Sequence, residues 1–410
     1  MASMVDGKPL LVAAPADCCG CGACAAACPK GAIAMKEDRR GFVYPEVDNS
    51  LCMGCGACVK ACGFQAKVGA VSQGPFYAAC GKGDVSKSAS GGVFATLART
   101  VLADGGCAFG AAYERRADGL YVRHRIAEDE GSLAGLLNSK YVQSDAGCCF
   151  RDVRAQLKTG RTVLFCGTPC QVAGLKSFLG RDWPNLITAD LVCHGVPSGA
   201  MLRGCLNEYG VRCGKIVVDL VFRSKNEGWG HSSLLLRLED GECTSARAGE
   251  FPYYDMFMKL KTVRDSCFSC CYASRRRPGD LTLGDFWDVK KNRPDILEAD
   301  GFDLRRGISC LFANNAQGQT ALTKYGEGLV LVEATFDEIA KGNDQLRHPS
   351  VLPADRVLYL SAFERGGWSA IERLYMRRER GVVYKAKQVT KRVLPAGAVT
   401  MLKKIVKRGN

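Results

Sequence analysis

The chain has 410 residues, 47% hydrophobic and 24% charged, the balance of an ordinary soluble globular protein with enough apolar mass for two or three domains. Its 23 cysteines are the anomaly: an odd count with vicinal and CxxC spacings makes a poor disulfide framework and suits metal or cluster ligation in a reducing compartment. The formal charge of +14 is largely a tail property, since from Glu372 onward twelve Lys or Arg face two Glu; no nucleic-acid module accompanies it, so no nucleic acid is expected as a partner.

The short apolar run LLVAA follows a single lysine, and Asp17 directly precedes Cys18, so no secretory leader is read at the N-terminus. No uninterrupted apolar stretch approaches the roughly 18 residues of a membrane span. A cytoplasmic location is the expectation.

Residues 1–70 hold two cysteine quartets, CCGCGACAAACP and CMGCGACVKACG, joined by AIAMKEDRRGFVYPEVDNS, which reads as short strands around a turn. The spacing of Cys18, Cys21, Cys24 and Cys28, followed by Pro29, is that of bacterial ferredoxins, in which three cysteines hold one 4Fe-4S cluster and the fourth crosses to another. Glycine-rich loops let three closely spaced thiolates cap three corners of a cubane. The duplication therefore assigns Cys18, Cys21, Cys24 and Cys62 to one cluster and Cys28, Cys52, Cys55 and Cys58 to a second, leaving Cys19 over. Zinc ribbons pair CxxC units across a longer gap. Gly63 stands where the second copy would be expected to carry proline.

From Gly74 the character changes to alternating strands and helices. SASGGVFATLARTVLADGG reads as a helix with Val93, Phe94, Leu97, Ala98, Val101 and Leu102 on one face; Ser90 is expected to cap it while the amides of Gly91 and Gly92 face an anion. CAFGAAYE and LYVRHRIA read as paired strands, and RDVRAQLKTG as a helix. RTVLFCGTPCQVAGLKSFLG is strand, loop, helix, and ITADLVCHGVPSG is a buried strand running into a loop. KIVVDLVFRSK, SSLLLRLEDGE and DLTLGDFWDV supply further strands, with CFSCC between the last two. No dinucleotide fingerprint is present, because the run from Gly81 to Ser86 lacks its third glycine. Beyond Asp355 the sequence reads as helix and then basic tail.

The order of these motifs, a two-cluster unit followed by KSASGGVFATLA, NSKYVQS, CGTPCQVAGLK, DLVCHGVPS and CFSCC with DLTLGDFW, resembles the coenzyme F420 hydrogenase/dehydrogenase beta subunit family. The resemblance spans residues 15–350. It implies an α+β chain: a ferredoxin-like two-cluster domain (1–70), an α/β FAD-binding domain (71–350), and a helical region with a basic tail (351–410). Its members are iron-sulfur flavoproteins that pass electrons between clusters, FAD and a reducible acceptor.

The resemblance places FAD against Ser88, Ser90, Gly91 and Gly92, against Lys140, Tyr141, Gln143 and Ser144, and against Gly167, Thr168 and Gln171, which follow a buried strand where α/β sheets bind ligands. Asp285 and Trp287 are candidate pocket walls. A third cluster is implied on Cys170, Cys193, Cys267 and Cys270, with Cys271 an alternative to Cys270. His194 is the candidate proton donor. Cys80, Cys107, Cys205, Cys213, Cys243 and Cys310 read as small buried residues, and Cys148 with Cys149 carries no redox motif. His124, His231 and His348 carry no signal.

The expected function is an oxidoreductase moving electrons between the clusters, FAD and a small acceptor, with coenzyme F420 as candidate; a non-catalytic relay subunit is the alternative. A ferredoxin or other carrier is the expected redox partner. Arg223, Lys225 and the arginines at 275–277 are a candidate basic pocket for an acidic ligand. The tail, GVVYKAKQVTKRVLPAGAVTMLKKIVKR, interleaves basic and apolar residues as an amphipathic helix on anionic lipid does, implying peripheral contact with the inner membrane face.

Overall fold

The computed structural model describes residues 3–5, 7–230 and 233–380. The cysteine-rich unit is built on the antiparallel pair Ile33–Glu37 and Val43–Val47, closed by short helices Ala23–Ala27 and Ala57–Lys60. Gly22 and Gly56 enter those helices in the left-handed region, which glycine adopts at little cost.

The larger body is organised by an eight-stranded mixed sheet. Its spatial order is Leu329–Ala334, Phe76–Gly81, Ser309–Ala313, Leu281–Asp285, Leu186–Leu191, Val163–Gly167, Cys107–Arg116 and Gly119–Ala127. The strands from Leu281–Asp285 through Cys107–Arg116 run parallel, and the outer ones are antiparallel. One face is covered by Val93–Ala103 and Ala316–Tyr325, whose Leu97, Val101 and Ala321 pack on Leu164, Ala189 and Leu281. The other carries Phe150–Lys158 and Pro169–Leu179, which bury Val153, Leu157, Val172 and Leu175 against Phe109, Val163 and Phe165. Burial on both faces gives the central strands their nearly continuous apolar character.

A second layer adds a three-stranded antiparallel sheet, Val217–Ser224, Ser233–Leu238 and Cys243–Arg247, with helices Gly199–Cys213, Pro252–Met258 and Arg356–Glu379. The last helix does not stand apart as a tail. Tyr359, Leu360, Trp368, Ile371 and Tyr375 share one core with Leu202, Phe222 and Tyr253, and the helix breaks at Gly366 and Gly367 to follow it. The basic segment 381–410, with its expected lipid contact, lies outside the described residues, as does His231. Among the described residues no helix is long and apolar enough to cross a membrane.

Two sequence expectations need correction. Cys213 and Cys243 are exposed, one at a helix end and one on an edge strand, whereas Cys80, Cys107, Cys205 and Cys310 are buried. Ser90 does not cap its helix: Gly92 occupies the cap, Ser90 Oγ donates to Ile308 O at 3.0 Å, and the Gly91 amide is spent on Ser309 Oγ at 3.0 Å.

Candidate metal centres and cofactor cavity

The hairpin and two short helices gather the cysteines into separate groups. Cys24 lies within electrostatic reach of Cys18, Cys21 and Cys62; burial first, and then those thiols, raises its pKa well above the ordinary thiol value. Cys28, Cys52, Cys55 and Cys58 line a second hollow with Pro9, Leu51 and Met53. Among the described residues no three His, Cys, Asp or Glu side chains are gathered tightly enough for a single metal ion. Thiols crowded around a hollow ionise readily only when a positive core offsets their repulsion, and an iron-sulfur cubane supplies one. The residues present fit that group.

The cysteine unit is seated on the larger body by close backbone contact. A side chain at Gly63 would put its Cβ 2.1 Å from Ala173 O, which excludes proline there and accounts for the departure from the first copy. Gly174 leaves room for Cys21, whose Sγ would lie 2.8 Å from a Cβ at that position.

A third hollow is lined by Cys170, Cys193, Cys267 and Cys270 together with Cys19, Arg264 and Tyr272. Cys170 begins the helix Pro169–Leu179, Cys193 follows the strand Leu186–Leu191, and Cys267 and Cys270 come from one turn, so three loops meet. Cys271 is not among the lining residues. Burial pushes Cys193 up to about 11 and Cys270 up to about 12.

Beside it, at the carboxyl ends of the parallel strands, opens a cavity of about 400 Å³, within the roughly 300–1,000 Å³ typical of cofactor sites. Ser88, Ser90, Gly92, Lys140, Tyr141, Ser144, Gly167, Thr168, Gln171, His194, Asp285 and Trp287 all line it. Gly91 and Gln143 do not. Gly91 faces the sheet, and Gln143 points to the other side of its loop, where Nε2 donates to Cys19 O and Gly20 O.

Several cavity groups were not singled out by sequence reasoning. His124 is fully buried: its Nε2–H donates to Cys166 O at 3.0 Å, leaving Nδ1 to accept from Ser144 Oγ at 3.2 Å, while Ser144 Oγ accepts from Gln171 Nε2 at 2.9 Å. That chain defines a neutral imidazole, and burial lowers His124 to about 4. Its alternation with Leu120 and Val122 on the strand Gly119–Ala127 was the available signal.

Lys140 Nζ donates to Gly135 O at 2.9 Å and Leu137 O at 2.6 Å, and burial lowers it to about 7. Ser88 Oγ is buried in the lining without a hydrogen-bond partner, an orphan that an anionic or polar ligand would satisfy. His194 lies edge-on to Phe257, with Nδ1 against Gln345 Nε2 at 3.0 Å, and burial lowers its pKa.

The candidate basic pocket does not assemble, because its cations are committed inside the protein. Arg223 forks onto Asp285 at 2.8 and 3.2 Å, beneath the stacked Trp229 and Trp287 rings. Lys225 Nζ donates to Val85 O, Ser90 O and Arg306 O, pinning the loop that borders the cavity. Arg275 and Arg276 donate to Ser72 O and Gly69 O, and Arg277 pairs with buried Asp190. Only Arg223 of the five reaches the cavity wall.

Fold and site together define a cysteine-rich redox module docked on a ligand-binding α/β body. Residues 17–66 match the family described as 4Fe-4S dicluster domain, and residues 160–338 match that described as the C terminus of the Coenzyme F420 hydrogenase/dehydrogenase beta chain. The chain is an iron-sulfur protein of the coenzyme F420 hydrogenase/dehydrogenase beta subunit family, with an N-terminal domain that supports two 4Fe-4S clusters. Among solved structures it is similar to a chain of the F420-reducing [NiFe] hydrogenase complex from Methanosarcina barkeri, studied as a xenon derivative, at 16% identity and a TM-score of 0.44, covering 77% of this chain and 94% of that one. No curated protein matches it.

Proposed function

We propose that this chain is an iron-sulfur flavoprotein oxidoreductase: FAD occupies the 400 Å³ cavity, a third cluster is held by Cys170, Cys193, Cys267 and Cys270, and a small acceptor, coenzyme F420 being the candidate, meets the flavin there. One observation carries the reading. Thr168, Cys193, His194, Gly195, Val196 and Gln345 line both the cavity and the third thiol hollow, so the two are separated by a single layer of side chains. When bound, clusters supply single electrons and a flavin exchanges them singly or in pairs.

The chain's own groups have distinct tasks. Ser88 Oγ, the Gly92 turn and Lys140 offer polar contacts to an anionic cofactor, and the Lys140 ammonium gains a partner when negative charge arrives. The Trp287 ring, backed by Trp229 and braced by Arg223 and Asp285, is a rigid apolar wall for a planar ligand. His194 is placed to hold a proton at the boundary between cavity and hollow. At the far end, exposed Cys55 with Leu51 and Met53 offers a carrier such as a ferredoxin access to the outer quartet.

Anaerobically reconstituted chain, supplied with reduced ferredoxin or dithionite and oxidised F420, should reduce the deazaflavin at catalytic turnover. Full flavin and iron content with electron uptake but no turnover of F420 or other small acceptors would identify a relay subunit instead.

A further inference from the structure

The segment that joins Cys18 to Cys21 is held by a clamp the proposed chemistry does not itself require. Arg264 is fully buried, and its guanidinium reaches three segments: Nε donates to Cys18 O at 2.7 Å, Nη1 to Gln143 Oε1 at 3.0 Å and Nη2 to Val43 O at 2.9 Å. Gln143 completes the set, with Nε2 donating to Cys19 O at 3.2 Å and Gly20 O at 3.1 Å. Every carbonyl of residues 18–20 is therefore fixed by the larger body. Gly20 is obligatory under this clamp: at φ +70, a Cβ would stand 2.1 Å from Gln143 Nε2.

The clamp is rooted in the wall between cavity and hollow. The Arg264 amide donates to Val196 O at 2.9 Å and the Gln143 amide to Pro197 O at 3.1 Å. Gln143 lies between Tyr141 and Ser144, both of which face the cavity. Its result is the placement of Cys19, the thiol left over by the ferredoxin spacing. Cys19 is buried, lines the third hollow, and its side chain hydrogen-bonds with Cys21 of one quartet and Cys170 of the other.

We propose that residues 18–20 are the electronic junction between the inner ferredoxin-type cluster and the third cluster, with Arg264 and Gln143 as positioning residues and the Cys19 thiol as the donor that bridges the two ligand sets. The inference rests on the three-cluster reading. A single electron crosses the junction; one side is oxidised and the other reduced by one, with no bond made and no proton moved. Buried guanidinium and amide donors suit this task because they hold geometry without ligating iron, and hydrogen bonds to cluster sulfurs set potentials.

The test uses full-length chain reconstituted anaerobically, with iron and sulfide counted and the reduced clusters followed by EPR-monitored redox titration. C19A should retain roughly twelve irons per chain but shift the midpoints of the inner and third clusters to more negative values, and C19S should restore them. R264K and Q143L should retain the same iron and alter the magnetic interaction between those two clusters while leaving the outer cluster's signal unchanged. Wild-type chain with roughly eight irons overturns the three-cluster reading itself. Roughly twelve irons with midpoints unmoved in C19A, or an interaction unmoved in both R264K and Q143L, overturns the junction alone.

Discussion

Replacing Arg277 by methionine isolates the buried polar frame that sets the third thiol group. Arg277 and Asp190 have side-chain exposures of 1% and 0%. The guanidinium also donates to Thr282 Oγ1 at 3.1 Å, Tyr272 O at 3.0 Å and Leu191 O at 2.9 Å, so it ties the loop after Cys270 to the strand end before Cys193. In R277M, Asp190 keeps only Gly279 N and Thr282 Oγ1 as donors, and its carboxylate is left buried without a cation. Removing one partner of such a pair costs about 3–5 kcal/mol, which at roughly 2–4 °C per kcal/mol lowers the unfolding midpoint by about 10 °C. The matched double variant D190L/R277M removes both charges and should recover part of the loss, since burying an unpaired charge dominates the single variant. Scanning calorimetry at one scan rate on anaerobic protein reads both effects. An R277M cost under about 1 kcal/mol, or a double-variant cost equal to the sum of the two singles, would refute the claim that this pair is the frame.

Further outcomes follow from neighbouring groups. Because the Lys140 ammonium sits near pH 7 rather than at its usual 10.5, FAD affinity measured by fluorescence quenching should fall by up to about tenfold per pH unit above 7, and K140M should flatten that slope. His124, held near 4 against an ordinary 6.5, binds its proton more readily in the unfolded chain between those values. Stability should therefore fall as pH drops through that window, by on the order of 3 kcal/mol once it is crossed, and denaturant titrations of H124Q should lack this component. In G174A the new Cβ meets Cys21 Sγ at 2.8 Å, whereas at Gly83 nothing lies within 4 Å. G174A should lose the inner cluster's iron and its EPR signal, and G83A should keep both.

The cysteine quartets were legible because their geometry is local: ligands two or three residues apart lie on one loop, and the fold need only bring the two loops together. The parallel strands were legible for a similar reason, since the apolar runs ending at Gly167, Leu191 and Asp285 are buried on both faces. The strands Phe76–Gly81, Ser309–Ala313 and Leu329–Ala334 were not foreseen, because their pairing is antiparallel across more than two hundred residues of sequence. The same limit governs the side chains. Gln143 shares a loop with cavity residues, yet its direction is set by the Cys18 segment, more than a hundred residues earlier. Arg223, Lys225 and Arg275 to Arg277 look like a basic surface until distant carbonyls and carboxylates are seen to take up each donor. Ser90 resembles a helix cap, and it is Ile308 O, on a separate segment, that claims its hydroxyl.

The central claim is that three thiol groups, in line with a cofactor cavity, make this chain an electron conduit. Iron, acid-labile sulfide, zinc and flavin quantified on the same anaerobically purified sample test it most directly. The account predicts roughly twelve iron and twelve sulfide per chain with close to stoichiometric flavin released on denaturation. Zinc in place of iron and sulfide, in a preparation without a yellow chromophore, would contradict it.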